Sequence, residues 1–147
     1  DEYPHLLDID NHDIRDRIEL ATRWLWRQLD NGRPLKLKTL PLKVVYHTPC
    51  HMEKMGWSIY TLELLRLIPG LELTVLDSRC CGIAGTYGFK SENYPTSQAI
   101  GAPLFRQIEE SGADIVVTDC ETCKWQIEMS TSKRCEHPIT LLAQALA

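Results

Sequence analysis

Three short runs of β-branched and apolar residues alternate with longer segments of helical periodicity, and this alternation constrains the fold. The runs are LKVVYH at 42–47, LELTVLD at 71–77 and ADIVVTD at 113–119, and each predicts a strand. Between them, 52–68 and 96–112 have the apolar spacing of helices. Strands that alternate with helices form parallel sheets with right-handed crossovers. The sequence therefore predicts a small α/β, Rossmann-like domain with helices on both faces of a parallel sheet.

Helical patterns also precede and follow this alternation. Residues 12–30 combine regularly spaced apolar residues with charges of both signs, which is typical of an amphipathic helix. ETCKWQIEMS at 121–130 and PITLLAQALA at 138–147 are predicted to be helical as well. We therefore expect an N-terminal helical segment and linker at 1–39, followed by a cysteine-rich α/β domain at 40–147.

Composition favours neither of two classes of partner. The chain has 147 residues, a net charge of −4 and no clustered run of Lys and Arg, which argues against binding to nucleic acid or anionic lipid. No window approaches the roughly 20 apolar residues that span a bilayer, and the acidic start is unlike a signal peptide. We expect a soluble, cytoplasmic chain. Because it begins with Asp1 rather than Met, we also expect it to be part of a longer polypeptide.

Five of the six cysteines come directly after the predicted strands. Cys50 follows the first strand, Cys80 and Cys81 follow the second, and Cys120 and Cys123 follow the third. In open parallel sheets, ligands bind in the crevice beyond the carboxyl ends of the strands, which all meet at one edge. The sequence therefore predicts that the five thiols share one site at the carboxyl edge of the sheet.

Three kinds of chemistry remain open for such a site. Structural disulfides are disfavoured, because cytoplasmic thiols are kept reduced. Four thiolates suit a tetrahedral Zn²⁺ ion, whereas a larger inorganic cluster would use the fifth sulfur. A dithiol enzyme acting through Cys120 and Cys123 is the third possibility, although it leaves the other three cysteines unexplained.

The segment TDCE predicts how the last two cysteines are placed. It has the form of a capping box, with Thr118 as the N-cap residue and Glu121 three positions later. Cys120 and Cys123 would then lie in the first turns of a helix, where the helix dipole stabilises negative charge and lowers the pKa of thiols. Thiolates of this kind suit a metal or a cluster.

Glycines follow the adjacent cysteines in RCCGIAGTYG. Neighbouring side chains on an extended strand point to opposite faces, so Cys80 and Cys81 can serve one centre only if the backbone turns. Gly82 allows that turn. We expect Gly85 and Gly88 to let the chain pass close to an inorganic ligand and to direct N–H groups at its sulfur atoms.

The histidines and the sixth cysteine receive weaker assignments. His47 and His51 flank Cys50, and either could be a ligand, could donate a hydrogen bond from outside the ligand set, or could cap a helix. Cys135 and His137 lie away from the predicted strand ends, so we expect structural roles for both.

These motifs together resemble a known family. HTPCH, CCGIAGTYG, DCETC and HPITLLAQAL are similar to the cysteine-rich CCG domain found in heterodisulfide reductases and in iron–sulfur proteins of glycolate and lactate oxidation. The resemblance covers residues 40–147 and implies an iron–sulfur electron-transfer module. It implies a [4Fe–4S] cluster, which is noncubane in the paired CCG motifs of heterodisulfide reductases, whereas some members bind zinc at one motif. The ligands that it implies are Cys50, Cys80, Cys81, Cys120 and Cys123.

The resemblance also implies partners. In the family, a protein of this kind carries electrons from a flavoprotein that oxidises glycerol 3-phosphate towards membrane quinone. The expected partners are thus a flavoprotein dehydrogenase subunit and a membrane-anchoring or quinone-reactive protein, on the cytoplasmic side of the inner membrane. Such a protein is expected to carry ferredoxin-type motifs and a second CCG unit, which this chain lacks, so we do not expect catalysis from the chain alone.

Overall fold

The computed structural model describes residues 3–15 and 17–147, and the chain divides into two compact units, Asp1–Pro34 and Leu35–Ala147. The described part of the first unit contains the helices α1 (Tyr3–Leu7), α2 (His12–Arg15) and α3 (Ala21–Asp30).

The prediction of one continuous helix over 12–30 is wrong, because α2 and α3 are separate. Leu20 has an extended backbone (φ −65°, ψ 140°) and precedes the first residue of α3. The carboxylate of Glu19 accepts hydrogen bonds from Arg27 at 3.0 Å. An acidic group just before a helix is favourable, because the N-terminal end of the helix dipole is positive.

The second unit contains a parallel sheet of four short strands in the order β2-β1-β3-β4. The three predicted strands are confirmed with narrower bounds, whereas the fourth was not predicted, since two residues give no periodicity. The strands are β1 (Lys43–Tyr46), β2 (Glu72–Val75), β3 (Ile115–Val117) and β4 (Cys135–Glu136).

Helices cover both faces of this sheet, as predicted. Helix α5 contacts α8, and α6 contacts α7. The predicted helix at 52–68 is divided into α4 and α5 at Gly56, whose φ of +65° ends α4 in a left-handed conformation. The helices are α4 (Cys50–Met55), α5 (Ser58–Arg66), α6 (Tyr94–Glu110), α7 (Glu121–Ser130) and α8 (Pro138–Ala145).

Alternating strand residues build a core on each face. Val45 and Val116 belong to the apolar cluster formed with α6 and α7. Their neighbours point the opposite way along each strand and are also buried. Burial on both faces is typical of parallel sheets. The α6 and α7 residues of this cluster include Leu104, Phe105, Ile108, Cys123 and Ile127.

The two ends of the second unit are paired with each other, in what we call the terminal clasp. Leu37 and Leu146 form an antiparallel bridge. The amide of Lys38 donates to the Ala145 carbonyl at 2.8 Å, and the amide of Ala147 donates to the Lys36 carbonyl at 3.0 Å. The clasp therefore holds the two ends side by side.

Among the residues that the structure describes, every helix is too short or too polar to cross a lipid bilayer.

Candidate metal centre

The predicted cysteines converge at the carboxyl edge of the sheet. Because all four strands are parallel, the loops that follow β1, β2 and β3 leave from the same edge. Cys50 Sγ lies 3.8 Å from Cys80 Sγ, and we call these two residues the outer pair. Cys81 Sγ lies 3.2 Å from Cys123 Sγ, and Cys120 interacts with Cys123. We call these three residues the inner group.

Two cysteines of the inner group are more deeply placed than the outer pair. Cys81 and Cys123 are 2% and 4% exposed, whereas Cys120 and Cys80 are both half-buried and Cys50 is exposed. The five thiols thus form a layer that extends from the core to the surface.

Cys120 itself precedes the first residue of α7, so the predicted capping box is wrong. The amide of Thr118 donates to the Glu136 carbonyl at 3.1 Å, so that Thr118 continues the pairing of β3 with β4 and lies too early to cap the helix. Cys120 therefore takes the N-cap position, just before the helix and not in its first turn as expected, whereas Cys123 lies in the first turn, as expected.

A turn at Gly82 brings Cys80 and Cys81 into the same layer. Gly82 has a φ of +88°, and its N–H donates to Cys80 Sγ at 3.3 Å. The N–H of Gly88 instead donates to the Ile83 carbonyl at 2.9 Å, and a Cβ there would overlap Ser97 of α6. The expectation that Gly88 directs its N–H at an inorganic ligand is therefore wrong. Gly85 is exposed, and no atom lies within 4 Å of where its Cβ would be.

His47 adds a nitrogen to the inner group. Its ring is 1% exposed, and its Nε2 atom has no hydrogen-bond partner among the described residues. A ring nitrogen of His47 and the sulfurs of Cys81 and Cys123 all lie within 4.8 Å of one another. A buried polar atom without a partner is costly, and at this position the ring nitrogen could serve as a metal ligand beside the two thiols. His51, by contrast, is exposed on α4.

Hydrogen bonds with Cys123 lower the pKa of the other two thiols of the inner group. The pKa of Cys81 is lowered to about 5, first by its hydrogen bond with Cys123 and further by His47. The pKa of Cys120 is lowered to about 4, first by its hydrogen bond with Cys123 and then by the hydroxyl of Thr122 and the amides that begin α7.

Cys123, which interacts with both of these sulfurs, shifts in the opposite direction. Its pKa is raised, first by the hydrogen bond to Cys120 and then by that to Cys81. Although Cys50 is exposed as a residue, its pKa is also raised, first by partial burial of its sulfur and then by the neighbouring Cys80. Full ionisation of the layer therefore requires a compensating positive charge, which a metal or cluster supplies when thiolates coordinate it.

Cys135 lies in β4 and is fully buried. Burial raises the pKa of its thiol to about 12, with a further contribution from Glu128. This environment is that of an inert core thiol.

Asp119 is a site residue that sequence reasoning missed. Its carboxylate accepts hydrogen bonds from Tyr46 Oη at 2.5 Å and from Thr61 Oγ1 at 2.8 Å. These bonds fasten the loop that carries Cys120 to β1 and α5. Its position directly before a predicted ligand was visible in the sequence, but both partners are more than 50 residues away.

The donor set fits a thiophilic metal or an iron–sulfur cluster. Thiolate and imidazole are the ligand types that suit zinc and iron–sulfur centres. Two sulfurs bound to one tetrahedral zinc ion at about 2.3 Å are about 3.8 Å apart, which is the separation of the outer pair.

Comparisons with known proteins agree with this site. The family model CCG, described as a cysteine-rich domain, matches residues 44–128, a range that contains the outer pair and the inner group but not Cys135. Over its full 147 residues, the chain is 86% identical to a subunit of the anaerobic glycerol-3-phosphate dehydrogenase of Escherichia coli (strain K12) and spans 37% of that protein.

Two archaeal relatives are more distant. The chain is 36% identical over 101 residues to an uncharacterized iron–sulfur protein of Methanocaldococcus jannaschii, and the match covers 67% of the chain and 20% of the relative. It is 31% identical over 102 residues to a subunit of the fumarate reductase (CoM/CoB) of Methanothermobacter marburgensis, with the same two coverages. The chain thus spans well under half the length of these three relatives.

Proposed function

Because this chain belongs to the family of CCG cysteine-rich domains, we propose that it is an iron–sulfur electron-transfer domain. Within a bacterial anaerobic glycerol-3-phosphate dehydrogenase complex, it relays electrons from a flavoprotein subunit towards quinone. It carries electrons and does not itself oxidise the substrate.

The convergence of five cysteines on one sheet edge carries this proposal. Contacts of 3.2 Å and 3.8 Å between sulfurs from three different loops support a shared inorganic centre. A dithiol enzyme would need only Cys120 and Cys123, yet Cys123 also contacts Cys81. The names of the relatives, which include a glycerol-3-phosphate dehydrogenase subunit and an iron–sulfur protein, support the same function.

The proposed cofactor is a [4Fe–4S] cluster, of the cubane or the noncubane kind, which would supply one-electron chemistry when bound. Its proposed ligands are Cys50, Cys80, Cys81, Cys120 and Cys123. Two further groups support binding from outside this set: the buried imidazole of His47, beside the inner group, and the N–H of Gly82, directed at a sulfur. Similar roles for His51 and Gly85 stay predictions.

The proposed partners are the flavoprotein dehydrogenase subunit and a membrane-anchoring or quinone-reactive protein. We place the complex at the cytoplasmic side of the inner membrane. The relationship to a glycerol-3-phosphate dehydrogenase subunit supports this assignment.

The content of iron, acid-labile sulfide and zinc in protein purified without oxygen tests the proposal. We expect iron and sulfide near four each per chain, together with an electron paramagnetic resonance signal in the paramagnetic oxidation state. The variant Cys81→Ser is expected to lose the cluster, and Cys135→Ser is the matched control that keeps it. Protein that contains neither iron nor sulfide after anaerobic reconstitution would contradict the proposal.

A structural zinc domain that mediates subunit assembly is the second candidate. It is favoured by one observation, the convergence of His47, Cys81 and Cys123 within 4.8 Å, with Cys120 beside them. Three thiolates and one imidazole form a common tetrahedral zinc site. One zinc per chain without sulfide and without a paramagnetic signal would support this candidate over the first.

A further inference from the structure

A buried chain of hydrogen bonds lies behind the cysteine layer, and we call it the Ser97 link. Ser97 Oγ donates to the Gly82 carbonyl at 2.9 Å, and Gln126 Nε2 donates to Ser97 Oγ at 2.9 Å. Ser97 is 0% exposed and Gln126 is 1% exposed. The link therefore joins the loop after β2 to α7 by way of α6.

Each end of the Ser97 link is next to a cysteine of the inner group. Gly82 directly follows Cys81, and Gln126 lies three residues after Cys123, on a neighbouring position of the same helix face. The sulfurs of these two cysteines are 3.2 Å apart. The link thus spans the two chain segments whose sulfurs must meet.

The loop after β2 also packs closely against the backbone of α6. A Cβ on Gly82 would overlap the Ser97 carbonyl, and a Cβ on Gly101 would lie 2.5 Å from the Cys81 carbonyl. The loop therefore rests directly on the backbone of α6. Packing alone fixes how closely the loop approaches, whereas hydrogen bonds are directional and also fix its rotation.

We propose that Ser97 and Gln126 are positioning residues that set the separation and orientation of the Cys81 and Cys123 sulfurs for metal coordination. This positioning role rests on one part of the proposed function, namely that the cysteine site binds a metal. Buried hydrogen-bonded groups that orient ligands commonly change metal affinity about 10-fold to 100-fold when they are removed.

The same two helices provide a matched control. Gln98 Nε2 of α6 donates to Ser130 Oγ of α7 at 3.0 Å, and Ser130 Oγ donates back to Gln98 Oε1 at 3.1 Å. This pair also joins a glutamine to a serine between α6 and α7, but among the described residues it hydrogen-bonds to neither Gly82 nor a cysteine. If each pair only held the two helices together, substitutions in either pair would change Co²⁺ binding to the same extent.

The test measures Co²⁺ binding by the 147-residue chain under anaerobic conditions, through the sulfur-to-cobalt charge-transfer absorbance. We expect Ser97→Ala to weaken Co²⁺ affinity about 10-fold or more and to change the shape of this absorbance. Gln126→Met should act in the same direction, with a smaller effect because Ser97 can still bond Gly82. The controls Ser130→Ala and Gln98→Met should bind Co²⁺ like the unmodified chain.

Circular dichroism and thermal unfolding establish that each variant is folded, and if Ser97→Ala fails to fold, Gln126→Met carries the test. The positioning role is wrong if the folded Ser97 and Gln126 variants bind Co²⁺ with the same affinity and the same spectrum as the controls. An unmodified chain that binds Co²⁺ but takes up no iron or sulfide would overturn the proposed function alone. Failure of the unmodified chain to bind Co²⁺ would overturn the positioning role, and failure to take up iron and sulfide as well would overturn both proposals.

Discussion

Gly82 is the residue at which the site is most sensitive to a single methyl group. Its φ of +88° disfavours any side chain, and a Cβ would overlap the backbone of α6. Gly85, three residues later, also has a positive φ, of +66°, but nothing lies within 4 Å of where its Cβ would be. The two glycines therefore separate the cost of backbone conformation from the cost of close packing.

We expect Gly82→Ala to lower the free energy of unfolding by about 3 kcal/mol or more, because left-handed strain adds to a clash with backbone atoms that cannot move freely. Gly85→Ala should cost only about 1 kcal/mol, from the backbone conformation alone. Denaturant unfolding followed by circular dichroism measures both values. Equal costs for the two variants would show that α6 yields to the added methyl group.

At the scale of the elements, β1, α5 and the loop after β3 are joined through Asp119. Tyr46 is 0% exposed, and its pKa is raised above the usual range, first by burial and then by the charge of Asp119. The raised pKa means that folding favours the protonated phenol. Its contribution to stability is fully present below the pKa of an unfolded tyrosine, near 10, and is lost as the pH rises above that value.

We expect Tyr46→Phe to be less stable than the unmodified chain by about 2 kcal/mol at pH 7, because Asp119 loses a hydrogen bond. The difference should narrow above about pH 10, where the unfolded tyrosine of the unmodified chain ionises. Urea unfolding at about pH 7 and about pH 10.5 measures this change. Tyr94→Phe, at a 40% exposed position, is the control and should stay within about 0.5 kcal/mol. A constant difference at both pH values would contradict the assignment.

Local patterns in the sequence predicted the three longer strands and most of the helical segments. Three runs of β-branched residues were sufficient for the parallel sheet, and the sheet direction then brought the loops that carry the cysteines to one edge. Strand β4 was missed, because it has only two residues. The break before α3 was missed because the apolar spacing continues across it.

Contacts between residues that are far apart in the sequence could not be predicted from it. The division into an outer pair and an inner group depends on side-chain depth, which strand order alone does not give. Ser97 meets Gly82 across 15 residues and Gln126 across 29, and no periodicity encodes such pairs. The Thr118 cap had the expected local motif, but sheet pairing with β4 overrode it.

At the scale of the whole molecule, the cysteine layer joins three loops that are far apart in the sequence. A metal bound to thiols from all three loops binds the folded chain and not the unfolded one, so it stabilises the fold by mass action. The stabilisation amounts to about 2.7 kcal/mol at a free metal concentration about 100 times the dissociation constant.

We therefore expect a chelator that removes the proposed metal to lower the melting temperature by several degrees, since 1 kcal/mol corresponds to about 2–8 °C for domains of this size. Differential scanning calorimetry with and without the chelator measures the shift. Cys81→Ser should abolish the shift, and Cys135→Ser, outside the layer, should keep it. A melting temperature that is the same with and without the chelator would contradict the proposal that a metal joins the three loops.

The terminal clasp determines how the second unit responds to mechanical force. Lys36 pairs with Ala147 and Lys38 with Ala145, so a pull on residues 35 and 147 acts from the same end of this antiparallel pairing. Its hydrogen bonds would then break one after another, as in a zipper, rather than all together. We expect single-molecule pulling to give a first extension at low force, with the sheet and the cysteine layer still intact. Under tension the clasp would thus open first and lengthen the chain before the force reaches the sheet and the cysteine layer.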